Sequence, residues 1–155
     1  MGCGKDFDSG NCVVDVLREI VEAQEDIQEF CCDTSCERSI SDLLGEKDNK
    51  KGLDTVPVIL YCKDCKPFKG FGADKKHGKM GPIVASFIFR VKSIDDNNCA
   101  VLELLLKDGE TCGYDHLKDP TMQDTKDLEA TGICITVDLD CFCHVTCLPA
   151  ISVFN

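Results

Sequence analysis

Between residues 13 and 30 the apolar side chains are Val13, Val16, Leu17, Ile20, Val21, Ile27 and Phe30. Steps of three and four place them on one face of an α-helix. Asn11 or Ser9 can cap it, and Asp15, Glu19 and Glu22 lie towards the N-terminal half, where the helix dipole favours negative charge. Residues 1–11 are polar and glycine-rich and read as a mobile arm, which leaves a single domain over residues 12–155. Residues 33–54 are weakly patterned, with a short helix expected at 40–44 and an exposed loop at 48–52. The period then becomes two. Val56, Val58 and Leu60 alternate with Pro57, Ile59 and Tyr61. Pro57 has no N–H for a ladder, which points to an edge strand or to a strand whose free side faces outward at that residue.

A turn at 62–67, a short strand at 68–71 and an exposed basic loop at 73–80 follow. In 82–94, Ile83, Ala85, Phe87, Phe89 and Val91 share one face, and Ser86, Arg90 and Lys92 the other. The run Asp95-Asp96-Asn97-Asn98 is a turn signal. In 99–106, Ala100, Leu102, Leu104 and Leu106 form the apolar face, with Cys99 and Glu103 opposite. These two segments predict an antiparallel hairpin. Residues 107–130 read as a long surface excursion. In 132–139, Ile133, Ile135, Val137 and Leu139 point inward and Cys134, Thr136 and Asp138 outward, and a last strand is expected at 141–147. The predicted fold is α+β, mainly β: an N-terminal amphipathic helix followed by five to seven mostly antiparallel strands in a sandwich or small barrel.

At 155 residues the chain is long enough to bury its own core. Yet it carries 13 cysteines, a density usual in short disulfide-stapled secreted domains. The number is odd, so pairing within one chain leaves at least one thiol over. The opening Met1-Gly2-Cys3-Gly4-Lys5 does not resemble a secretory signal, and no run of apolar residues is long enough to span a membrane. Synthesis in a reducing cytoplasm is therefore expected. A thiol-rich chain made there is a metal binder, a redox protein or a protein oxidised later. The net charge of −11 argues against nucleic acid and anionic membranes as partners. It is segmented: residues 1–54 carry −8, residues 55–90 carry +5 and residues 91–155 carry −8. Such a pattern suits either a solvated surface or basic faces that meet acidic faces of neighbouring copies.

Four chemistries compete for the cysteines. In a strand, Cys141, Cys143, Val145 and Cys147 share one face and Phe142, His144 and Thr146 the other. Neighbours two apart on one strand are badly placed to bond each other, so their partners lie on another strand or another molecule. The one Cys-x-x-Cys, Cys62 and Cys65, could begin a zinc site completed from Cys31, Cys32, Cys36 or His77. A thioredoxin-like role needs that motif at a helix N-terminus, whereas Pro67 and a strand follow it. A Cys/His nucleophile with His144 or His116 lacks any recognisable oxyanion turn. No phosphate-binding glycine loop or hydrolase elbow is present.

Three stretches resemble the cysteine-rich spore coat proteins Y and Z, including the exosporium Y-type proteins of Bacillus-group endospores. They are the run from Cys12 to Ile20, the run from Ser86 to Leu102, and Ile135-Thr-Val-Asp-Leu-Asp-Cys141-Phe-Cys143-His-Val-Thr-Cys147-Leu148. The resemblance implies a structural protein of the outer coat, crust or exosporium, made in the mother cell and deposited on the spore surface. It implies self-assembly into a two-dimensional, hexagonal, disulfide-hardened lattice of hexamers, and contacts with other coat proteins. It implies no catalysis, cofactor or metal. On that reading the foremost candidates for intermolecular bonds are Cys3, Cys12, Cys134, Cys141, Cys143 and Cys147. Cys31, Cys32, Cys36, Cys62 and Cys65 are further disulfide or assembly candidates, and Cys99 is expected to be internal. A zinc-stabilised binding module is the alternative, with a thiol–disulfide oxidoreductase behind it.

Overall fold

The computed structural model describes residues 10–24, 32–45, 52–108 and 117–154. The chain divides into two units, residues 1–32 and residues 33–155. In the first, helix α1 (Cys12–Gln24) starts where the sequence places it. Asn11 Oδ1 accepts the N–H groups of Val13 at 2.9 Å and Val14 at 3.1 Å, satisfying donors that the first turn leaves open. Val13, Val16, Leu17, Ile20 and Val21 are all exposed. The expected continuation to residue 30, and most of the expected arm, lie outside the described residues.

The second unit begins with α2 (Cys36–Leu44). It is longer than the expected 40–44 because Ser35 caps it, accepting from the Arg38 N–H at 3.0 Å. Gly45, at φ 71°, closes it in the left-handed conformation that glycine adopts without strain. Seven strands follow: β1 (Val58–Cys62), β2 (Gly70–Lys76), β3 (Lys79–Ser86), β4 (Phe89–Ile94), β5 (Cys99–Lys107), β6 (Leu128–Asp138) and β7 (Phe142–Cys147). Five form an antiparallel sheet in the order β6-β5-β4-β1-β7, and β2 and β3 form a separate ribbon. The fold is α+β and mainly β, with two sheets that do not close into a barrel. Phe89, Ala100, Leu102, Leu104 and Leu105 are wholly buried at its centre.

Glycine sets the distance between ribbon and sheet. A Cβ on Gly72 would come within 2.4 Å of Ile133 Cγ2, and one on Gly70 within 2.8 Å of both Ile135 Cδ1 and the Phe89 ring. The ribbon lies against β6 where these two positions have no side chain.

Three expectations need correction. First, β1 is not an edge: it lies between β4 and β7. Pro57 stands one residue ahead of the ladder, so its missing N–H costs nothing, and its carbonyl accepts from Leu148 N–H at 2.8 Å. Second, residues 73–80 are not a loop. They form most of β2, the turn at His77 (φ 52°) and Gly78 (φ 76°), and the start of β3. Two successive left-handed residues match the twist that a two-residue hairpin turn requires.

Third, residues 82–94 are not one strand. The chain breaks at Phe87 and Ile88, where side chains take over the backbone hydrogen bonds. Gln123 Oε1 accepts Phe87 N–H at 2.9 Å, and Ser86 Oγ accepts Ile88 N–H at 2.9 Å. Phe87, Ile88 and Phe89 are consequently buried in succession, which strict alternation forbids. The hairpin of β4 and β5 does form, and Asp95 Oδ1 shapes its turn by accepting from Asn97 N–H (2.8 Å) and Cys99 N–H (2.9 Å).

Candidate functional site

The short 3₁₀ turn Leu139–Cys141 is all that separates β6 from β7. Leu139 N–H donates to the Asn98 carbonyl at 2.8 Å, which pins this junction to the β4–β5 turn. One bent stretch of chain thus pairs with β5 along its first part and with β1 along its second. Most of the thiols of this unit lie on that stretch or beside it.

Cys134 lies on β6 opposite Glu103 and is exposed. Glu103 is buried, its Oε2 accepts Gly132 N–H at 2.8 Å, and Lys92 Nζ stands 3.9 Å from its Oε1. This carboxylate holds the bulge at Thr131–Ile133, where the ladder of β5 and β6 slips register. The expected row of outward cysteines on the last strand is broken. Cys141 belongs to the 3₁₀ turn, and Cys143 is the extra residue of a bulge, because Tyr61 faces His144 while Cys62 faces Phe142. Cys141 and Cys143 are both exposed, and Cys143 Sγ donates to the Cys62 carbonyl at 3.2 Å.

Cys147 does not reach outward: it is disulfide-bonded to Cys36, 111 residues away, and joins α2 to β7. Ser39 Oγ supports the same contact, donating to the Leu148 carbonyl at 2.7 Å. Cys12 is also disulfide-bonded.

Cys62 and Cys65 flank a tight turn. Cys65 N–H donates to the Cys62 carbonyl and Cys62 N–H to the Lys66 carbonyl, both at 2.9 Å, with Cys65 at φ 69°. The turn leads into β2, so no helix dipole acts on either thiol. Cys36 is committed to Cys147 and is unavailable as a zinc ligand for this pair. His77, another of the proposed complements, sits in the β2–β3 turn; Cys32 belongs to the first unit and Cys31 lies outside the described residues. Among the described residues no group of three or more His, Cys, Asp or Glu is arranged to hold a metal ion. His144 stacks on Tyr61, with ring centroids 4.2 Å apart, and His116 lies outside the described residues.

Cys99, expected to pair internally, is a half-buried thiol at the start of β5. The Asp95 carboxylate, then burial, then Asp138 and Asp140 push this thiol above its ordinary value. A protonated thiol is a poor nucleophile, so these surroundings slow disulfide formation at Cys99. The thiols among the described residues are Cys32, Cys62, Cys65, Cys99, Cys134, Cys141 and Cys143. Cys3, Cys31 and Cys112 lie outside the described residues. The Cys36–Cys147 pair and the acidic surroundings of Cys99 were missed in the sequence. The first has no sequence signal, whereas Asp95, Asp138 and Asp140 were a readable one.

No helix among the described residues is long and apolar enough to cross a membrane. No solved structure matches the chain. The family model described as Spore coat protein Z matches residues 1–150. Spore coat protein Z of Bacillus subtilis (strain 168) is 37% identical over 144 residues, covering 85% of this chain and 87% of that protein. The chain belongs to the spore coat protein Z family.

Proposed function

We propose that this protein is a structural, non-catalytic component of the outer spore coat, crust or exosporium. Copies assemble into a two-dimensional hexagonal lattice of hexamers and are then cross-linked by disulfides. The observation that carries this reading is the division of labour among the cysteines. The core of residues 33–155 is complete without the exposed thiols, one internal disulfide ties its helix to its sheet, and Cys65, Cys134, Cys141 and Cys143 are displayed to solvent. The name of the B. subtilis relative supports the location, and other coat proteins are the expected neighbours of the lattice.

Synthesis takes place in the reducing mother-cell cytoplasm, so the protein folds and assembles with these thiols reduced. After lysis, two thiols on adjacent copies each lose a proton and an electron to dioxygen. One S–S bond forms and the oxygen leaves as hydrogen peroxide.

Isotope mixing tests the locking step. Copies labelled with ¹⁴N and ¹⁵N are mixed unfolded, refolded together, oxidised in air, and their disulfide-linked peptides identified by mass spectrometry. Mixed-label pairs are expected for Cys65, Cys134, Cys141 and Cys143, and single-label pairs for Cys36–Cys147. Single-label pairs throughout would contradict cross-linking between copies.

A further inference from the structure

Three of the seven basic residues in 55–90, namely Lys75, Lys76 and Lys79, fall on one element of the fold, the ribbon of β2 and β3. Lys75, Lys76 and Lys79 crowd its tip and are all exposed. Lys76 and Lys79 are direct cross-strand partners, a like-charge pairing that weakens an isolated hairpin. Within the chain Lys76 shares a cleft with Asp74, Asp108 and Glu129, whereas Lys75 and Lys79 do not line it. Gly70 and Gly72 face the sheet, so the alternate positions point outward. There Phe71 is 55% and Ile83 60% exposed, and Met80, nearer the tip, is 78% exposed. A charged tip beside uncovered apolar side chains is the composition of a docking surface.

The complementary charge lies on the five-stranded sheet, at the end of β5 and β6 away from the ribbon's tip. Asp95 and Asp96 in the β4–β5 turn, with Asp138 and Asp140 at the β6–β7 junction, are exposed. Three of them converge on Cys99. No basic residue occurs in 93–99 or 134–142. The ribbon lies alongside Leu106, Lys107, Asp108 and Glu129 at the far end of β5 and β6, whereas the acidic group surrounds Cys99 at the near end. The nine residues of β5 separate the two by roughly 27 Å. The Debye length is about 8 Å at physiological salt, so tip and acidic group do not neutralise one another within a chain.

We propose that the β2–β3 tip docks on the acidic β4–β5 and β6–β7 corner of a second copy, as the head-to-tail contact of the assembly. A contact between two different surfaces propagates, closing into a ring when its rotation permits. The inference rests on the self-assembly proposed above and supplies its non-covalent contact.

The test uses full-length protein with its free thiols capped by iodoacetamide, so that only non-covalent association is read, by sedimentation velocity at low salt. One variant reverses the tip (Lys75→Glu, Lys76→Glu, Lys79→Glu). A second reverses the corner (Asp95→Lys, Asp138→Lys, Asp140→Lys), and a third neutralises the tip with glutamine. All substitutions are at exposed positions, and thermal melts check that each variant is folded. Wild type is expected to associate at least tenfold more tightly than any single variant, and added salt to weaken it. Mixing the two reversed variants is expected to restore association. Variants that associate as tightly as wild type would overturn the contact, leave self-assembly standing, and reassign the tip to an anionic partner of another kind. Wild type that stays monomeric at every salt concentration would instead sink the self-assembly reading, and this contact with it.

Discussion

Oxidised protein carrying Cys147→Ser is expected to unfold with about 2–4 kcal/mol less stability than wild type, a fall in Tm of roughly 10 °C. The Cys36–Cys147 bond closes a loop with a sequence separation of 111 residues. The chain-entropy value for a loop of about that length is about 4.7 kcal/mol, and native-state adjustments usually lower it. Cys36→Ser should match Cys147→Ser, and the double variant should be no worse than either, because one bond is lost in each case. Reductant should abolish the difference between wild type and the variants, and any further fall shared by all of them belongs to the Cys12 bond. Melts of thiol-capped protein with and without reductant read all of this. Unchanged stability in Cys147→Ser would dissolve the distinction between an internal staple and external cross-linkers, and would return Cys147 to the pool of assembly cysteines.

The second large effect is expected at Gln123, a residue without chemical prominence in the sequence. It is buried, 5% exposed, and its amide is used at both ends. Oε1 accepts Phe87 N–H at 2.9 Å, while Nε2 donates to Ser86 Oγ at 2.8 Å and to the Leu105 carbonyl at 3.1 Å. Gln123→Leu keeps much of the volume and leaves Phe87 N–H without its partner, while Ser86 Oγ and the Leu105 carbonyl keep their bond to each other at 2.8 Å. An orphaned buried polar group costs about 1–3 kcal/mol, so a loss of about 2 kcal/mol is expected in urea unfolding. Combining it with Ser86→Ala should cost less than the sum, with a coupling of about 1 kcal/mol or more, because the two side chains share partners. A loss below about 0.5 kcal/mol for Gln123→Leu would mean that the break between β3 and β4 is held by something else.

That break marks where the sequence stops being legible. The β4–β5 hairpin could be read because its two strands alternate and an aspartate-rich turn joins them. The start of α1 could be read because Asn11 precedes a three-and-four apolar pattern. The division of residues 82–94 into two strands could not, since it depends on Gln123, more than thirty residues further along. The ribbon was hidden for another reason. Lys75, Lys76, Lys79 and Met80 have no buried face, so no period of two appears. Pro57 misled because a proline beside a strand and one inside it look alike until register is known. The candidate site divides in the same way. Exposure of Cys134 followed from alternation along β6. The separation of Cys147 from Cys141 and Cys143 depended on a bulge and on a helix far away in sequence.

The central claim is that folding and association precede oxidation, so that disulfides harden an assembly they do not build. Electron microscopy of the purified protein with and without reductant tests it most directly. Ordered arrays are expected under both conditions, with the reduced arrays losing only their resistance to heat. Discrete monomers under both conditions would contradict it.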